Sequence, residues 1–254
     1  MTLRIGFDLD GVLADMEAEL VRQAELLFGE AMTRRLQERA EIGAADSATA
    51  PGAPADPAAE SAPGSPLAEA PPIVRLQMTA RQQRRLWRHV KAIENFWESL
   101  DEVEPGVVAR LAATAAERQW EIIFLTKRPA SAGFTSQVQS QRWLQAKGFS
   151  LPSVYVVQGS RGRIAAALDL DFVVDDRPEN CLDVVVESKA RALLVWREDE
   201  RLLPAAARRL GMGVVGSIDE CLGIMTQVDV PRADQPRVVD RVLRMLGFNE
   251  PTGA

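Results

Sequence analysis

"RIGFDLDGVLAD", residues 4–15, is the stretch from which the rest of the chain is read. An apolar run ends on two aspartates, Asp8 and Asp10, and Gly11 follows directly. Carboxylates two positions apart repel each other. A strand that ends on both implies a compensating cation, or an electrophile that one of them attacks. Similar apolar runs recur downstream: WEIIFLT (120–126), SVYVVQG (153–159), DFVVDD (171–176), RALLVW (191–196) and GMGVVG (211–216). Each is short and rich in β-branched residues, and helix-length segments separate them. Continuous apolar strands between helices predict an α/β fold with a doubly wound, mainly parallel sheet covered on both faces. LRIGFDL (3–9) supplies one more strand.

The chain has 254 residues and a net charge of -6. That length suffices for one sizeable core with an accessory unit, and the acidic balance argues against a nucleic-acid partner. Two cysteines, Cys181 and Cys221, without CxxC spacing, argue against a disulfide scaffold or a zinc site. No segment approaches the ~20 apolar residues of a membrane span, and the amino-terminal run is broken at once by Asp8 and Asp10. The expectation is a cytoplasmic protein with no membrane partner; the sequence leaves the oligomeric state open.

Residues 43–72 hold seven of the 15 prolines and almost no large apolar side chain. This predicts a disordered linker inside the chain. A helix is predicted on each side, from Glu17 to about Ile42 and over 79–100. The second opens with Thr79 and Gln82 at capping-box spacing, and Leu86, Val90, Ile93, Trp97 and Leu100 form an apolar stripe. Arg81, Arg84, Arg85 and Arg88 read as its solvated face. A tail helix is predicted at about 236–246.

Ligands of open parallel sheets sit outside the carboxyl ends of the strands. That edge would collect Asp8 and Asp10, then Thr126 and Lys127, then Arg161 and Arg163, and finally Asp175 and Asp176. Four carboxylates in one cleft are costly without a cation. An oxygen-rich set lacking histidine and cysteine suits Mg2+. The basic residues suit an anionic substrate, and the combination describes phosphoryl transfer.

These residues also resemble a known family. FDLDGVLAD, FLTKRP and VVDDRPEN are similar to the first, second and fourth motifs of the haloacid dehalogenase (HAD) superfamily, and the resemblance covers the first strand and roughly 95–200. DGVLAD, NFWESLDEVEPG and DDRPEN look most like its 5'-nucleotidase/deoxyribonucleotidase branch (cytosolic C type). The resemblance implies a HAD-like core (1–15 and 105–227), a small helical cap after the first strand (16–104, containing the linker) and a carboxyl-terminal helix and tail (228–254). It implies an aspartyl-phosphate mechanism with Asp8 as nucleophile and Asp10 as general acid/base. Thr126, Lys127, Arg161 and Arg163 would bind phosphate, and Asp8, Asp10, Asp175 and Asp176 would hold Mg2+. Asp15, Met16 and Phe96 would belong to the cap or contact the substrate. The third motif usually supplies a lysine; here Arg161 or Arg163 stands in its place, and Met16 stands where the nucleotidase branch carries an aromatic. The implied activity is hydrolysis of a small phosphorylated metabolite such as a nucleoside 5'-monophosphate. The alternatives are a phosphatase of sugar phosphates or phosphoproteins, or a HAD-fold binding module without turnover.

Overall fold

The computed structural model describes residues 2–49 and 75–229. Residues 50–72 of the predicted linker and the predicted tail helix lie outside the described residues. The described residues divide into two compact units, one formed by 2–14, 102–126 and 144–229, the other by 15–49, 75–101 and 127–143.

The first unit is built on six strands: β1 (Arg4–Asp8), β2 (Glu121–Thr126), β3 (Ser153–Val156), β4 (Phe172–Asp175), β5 (Arg191–Val195) and β6 (Gly213–Val215). Every predicted apolar run supplies one of them. Their order is β3-β2-β1-β4-β5-β6, and all pairings are parallel. Alternate strand residues Ile123, Leu125, Val173, Ala192 and Leu194 share a core with Cys181 and Val184. The residues between them, Phe124, Phe172, Val174 and Leu193, are equally buried. Both faces of the sheet are therefore covered, which is why the strands carry no polar alternation. Helix α4 (Val107–Arg118) precedes β2; α6 (Arg161–Ala167), α7 (Pro178–Glu187), α8 (Ala205–Arg209) and α9 (Ile218–Val228) follow β3 to β6 in turn.

In the second unit, α1 (Met16–Phe28) and α2 (Glu30–Thr49) replace the single helix expected over 17–42. The break falls at Gly29, whose φ of 85° lies in the region open to glycine. Helix α2 continues over 43–49, the first part of the predicted linker; this alanine-bearing stretch precedes the prolines and retains helix propensity. Helix α3 (Ala80–Ala92) has the predicted Thr79–Gln82 capping box. It stops eight residues short of the predicted end, and Asn95 then takes a left-handed conformation with φ of 52°. A single 3-10 turn, Phe96–Glu98, follows.

The stretch 127–143 joins this unit, which the predicted boundaries 16–104 did not include. The hydrogen bonds explain why. The Trp97 indole donates to the Pro129 carbonyl (3.0 Å), and the Trp97 backbone N–H donates to Gln139 Oε1 (3.0 Å). Trp143 donates to the Leu100 carbonyl (2.7 Å), from α5 (Ser136–Ala146). The Arg128 guanidinium lies 5.0 Å from the Trp97 ring centroid and donates to Ser140.

Candidate active site

Strand β1 is central in the sheet, so its carboxyl end is flanked by those of β2 and β4. Asp8 closes β1 and is buried. Its Oδ2 accepts the Asp10 backbone N–H at 3.0 Å, and its Oδ1 accepts from Arg161 Nη2 at 2.5 Å. Gly11, with φ of 84°, turns the chain sharply beyond Asp10. A Cβ there would stand 2.0 Å from Asp176 Oδ2, so no other residue fits without moving that carboxylate. From β2, the buried Thr126 donates its hydroxyl to Asp10 Oδ2 at 3.1 Å.

Helix α6 opens on Ser160, whose hydroxyl accepts the backbone N–H groups of Gly162 and Arg163. This start turns Arg161 inward. Its side chain is 5% exposed and sits between Asp8 and Asp175, with Nε 3.5 Å from Asp175 Oδ2. Arg163, two positions on, points the other way: its side chain is 83% exposed and it pairs with Glu187. The arginine that meets the first-strand aspartate is thus Arg161, and Arg163 falls outside the cluster. Lys127 is exposed and groups with the second unit.

Asp175 closes β4 with its carboxylate fully engaged. Asn180 donates to both oxygens (3.0 and 2.9 Å), and the Arg177 backbone N–H donates to Oδ1 at 2.9 Å. Arg161 pairs with the same carboxylate. Asp176 is different: its Oδ1 is buried with no hydrogen-bond partner.

Electrostatics follow from this packing. Burial raises the Asp8 pKa well above the ordinary carboxylate value; Asp175 adds to the rise and Arg161 opposes it. Burial also raises Asp175, against the pull of Arg161. Burial, and next the charge of Asp175, push Asp176 up to about 7. Burial disfavours the Arg161 charge, but Asp8 and Asp175 outweigh it and hold the guanidinium protonated. One buried cation therefore does not balance these acids.

Among the described residues, no three His, Cys, Asp or Glu side chains converge to hold a metal ion. Of the four aspartates, Asp176 brings the buried oxygen without a hydrogen-bond partner, while Asp8, Asp10 and Asp175 each accept hydrogen bonds already. Hard cations of the magnesium type need no more than one or two carboxylates, with carbonyl, water or substrate oxygens completing the shell. The orphaned Asp176 oxygen and the uncompensated acidity both fit such an ion.

The remaining predicted residues lie in the second unit. Asp15 caps α1 through the Ala18 N–H (3.0 Å) and faces Arg75 at 3.7 Å. Met16 is 6% exposed. Phe96 has no exposed surface and packs edge-on to Trp97, its ring centroid 4.9 Å away. Its ring is core, because the 3-10 turn points inward a residue that a continued helix would have placed off the apolar stripe. Two contributors were absent from the sequence reading. Asn180 lay inside the quoted DDRPEN motif; Arg197, which binds the turn after Asp10, carried no motif signal.

Solved structures with this fold belong to HAD-family hydrolases. A β-phosphoglucomutase candidate from Thermotoga maritima matches 89% of this chain and 100% of its own at 17% identity, with a TM-score of 0.50. A HAD family hydrolase from Deinococcus radiodurans R1, solved with bound phosphate and sodium, matches 89% of this chain and 96% of its own at 16% identity, also with a TM-score of 0.50. The chain has the HAD-like fold: a parallel α/β sheet whose central strand ends on Asp8. No protein-family profile and no curated protein matches the sequence. Among the described residues no helix is long and apolar enough to cross a membrane.

Proposed function

We propose that this protein is a magnesium-dependent phosphomonoester hydrolase working through an aspartyl-phosphate. The observation that carries the reading is the Asp8–Arg161–Asp175 arrangement, with Asp10 turned toward Thr126 two residues beyond the nucleophile. The phosphate held by the Deinococcus hydrolase supports it through the shared fold.

Asp8 attacks phosphorus, and the bond from phosphorus to the ester oxygen breaks. The departing alkoxide takes the proton of Asp10 in its acid form. Asp10, now a carboxylate, removes a proton from water as the water oxygen attacks phosphorus. The bond to Asp8 breaks, inorganic phosphate leaves, and both aspartates return to their starting forms. Arg161 keeps the attacking carboxylate in place and, being permanently charged, offsets part of the local negative charge. Thr126 orients the Asp10 carboxyl. Magnesium, held by Asp8, Asp176 and the Asp10 carbonyl, supplies the remaining charge neutralisation when bound.

A nucleoside 5'-monophosphate is the first substrate in this reading. The burial of Met16 and Phe96 favours a second, a small sugar or metabolite phosphate, because neither side chain offers a surface on which a base would stack. The test is phosphate release from a panel of nucleoside monophosphates, sugar phosphates and phosphopeptides, with magnesium, with EDTA, and with Asp8→Asn. Magnesium-dependent release that disappears in Asp8→Asn supports the reading. A folded protein that binds magnesium and releases phosphate from none of them refutes it for that panel and favours a binding module.

A further inference from the structure

Arg197 lies just beyond β5, outside every motif that carries the proposed chemistry, yet its guanidinium reaches the turn behind Asp10. Nη1 donates to the Gly11 carbonyl at 2.7 Å, and Nη2 donates to the Val12 carbonyl at 3.3 Å and to Glu104 Oε1 at 2.7 Å. Glu104 is itself anchored: its Oε1 accepts the Ile218 N–H at the start of α9 (3.3 Å), and its Oε2 lies 3.7 Å from Arg110 of α4. Arg110 in turn pairs with Asp219 at 2.8 Å. The turn is also closed by Gly11 N–H to the Ala14 carbonyl (2.9 Å) and tied from outside by Val103 N–H to the Leu13 carbonyl (2.9 Å). Arg197 adds side-chain donors to the Gly11 and Val12 carbonyls, the part of the turn next to Asp10, through a planar, multidentate fork tied to a carboxylate.

We propose that Arg197, braced by Glu104, is a positioning residue that holds the Gly11–Val12 turn and through it the carboxyl of Asp10. The inference rests on the phosphatase reading, in which Asp10 protonates the leaving group. Its signature is a dependence on that leaving group. An alkyl phosphate needs a proton delivered as its ester bond breaks; a nitrophenyl phosphate releases a stable phenolate and needs little. The quantity to compare is kcat/KM, which reports steps through cleavage of the ester bond and is blind to the later hydrolysis of the aspartyl-phosphate.

The experiment measures kcat/KM for an alkyl and a nitrophenyl phosphate in the wild type, Arg197→Ala, Arg197→Lys and Glu104→Gln, with Asp8→Asn as control. Arg197→Ala is expected to lose about tenfold or more on the alkyl phosphate and only a few-fold on the nitrophenyl phosphate, since misplacing a general acid forfeits part of a ~10²–10⁴ contribution. Arg197→Lys recovers a fraction, because one ammonium cannot span both carbonyls and Glu104. Glu104→Gln gives a weaker form of the same pattern. Hydrogen exchange supplies a second readout that needs no turnover: residues 9–14 exchange faster in Arg197→Ala while the strands keep their protection. Equal losses on both substrates, or exchange at 9–14 unchanged from wild type, overturn the clamp. If Arg197→Ala does not fold, the lysine and glutamine variants decide by the same two readouts. Phosphate release that survives Asp8→Asn is a different failure: it overturns the phosphatase reading, and the exchange data still judge the clamp.

Discussion

Gly162→Ala sets two effects against each other, and the structure says which wins. Alanine is the better helix former by about 1 kcal/mol in a helix interior, and less at the second position of α6. Propensity alone therefore predicts a small gain in stability. The packing predicts a loss. A Cβ at residue 162 would lie 2.0 Å from the Asp183 carbonyl oxygen and 2.6 Å from its carbon, both backbone atoms of α7. No rotamer change relieves such a clash. Ordinary contact begins at 3.4 Å, so the two helices must separate locally by about 1.4 Å (3.4 less 2.0). That opens the seam where Ala165, Cys181 and Val184 are almost fully buried. Overfilling a packed seam costs about 1–3 kcal/mol, and a rigid obstacle puts the cost toward the upper end. The net expectation is a destabilisation of about 2 kcal/mol, or a Tm lower by about 4–8 °C for a chain of this size. Arg161 is the preceding residue, so the same shift moves the guanidinium off Asp8 and lowers kcat about tenfold or more. Urea denaturation of the two proteins, with phosphate release measured well below either midpoint, checks both parts. A variant as stable as wild type, or more so, refutes the packing argument.

Three further outcomes are expected. The raised Asp176 pKa gives the metal-free protein stability that is full below the ordinary value of 3.8 and is lost as pH rises through about 7. In EDTA the Tm should therefore fall between pH 5 and pH 8; Asp176→Asn should flatten that fall and also abolish stabilisation by magnesium, as thermal melts with and without the ion will report. Arg161→Met leaves Asp8 and Asp175 buried with no cation between them and should remove activity by about 10²-fold or more, whereas Arg161→Lys keeps a charge and should retain a measurable fraction. Gly11→Ala collides with Asp176 at a φ that alanine tolerates poorly, and steady-state assay should find it near the background of Asp8→Asn.

The sheet was legible because its signal does not depend on phase. A run such as EIIFLT is buried on both faces, so no alternation had to be read, and Thr126 ends it at the edge where ligands gather. The Asp8, Asp10, Thr126, Asp175 and Asp176 positions followed from strand ends alone. What could not be read depended on single backbone angles. Nothing before Gly29 announces its positive φ, and it ends a helix whose apolar spacing continues past it; α3 ends at its cap Ile93 in extended backbone, and Asn95 then opens the 3-10 turn that buries Phe96. The choice between Arg161 and Arg163 rests on where α6 begins, a matter of two residues and a rotation of about 200° at 3.6 residues per turn. Arg197 and the association of 127–143 with the second unit arise from contacts between segments far apart in sequence, which no local pattern encodes.

The position of β1 between β2 and β4 has a consequence for the order in which the molecule is made. Arg4 pairs with Glu121 and Ile5 with Phe172, so the strand that bears Asp8 has neither neighbour until more than a hundred residues have followed it. During synthesis at about 5–20 residues per second, β1 waits on the order of ten seconds or more with both edges unpaired. Helices α1, α2 and α3 are made in that interval, while 127–143 of the same unit follow β2. Non-local parallel pairing of this kind forms slowly. The strand that ends on Asp8 thus gains its second neighbour only after Phe172 has been made.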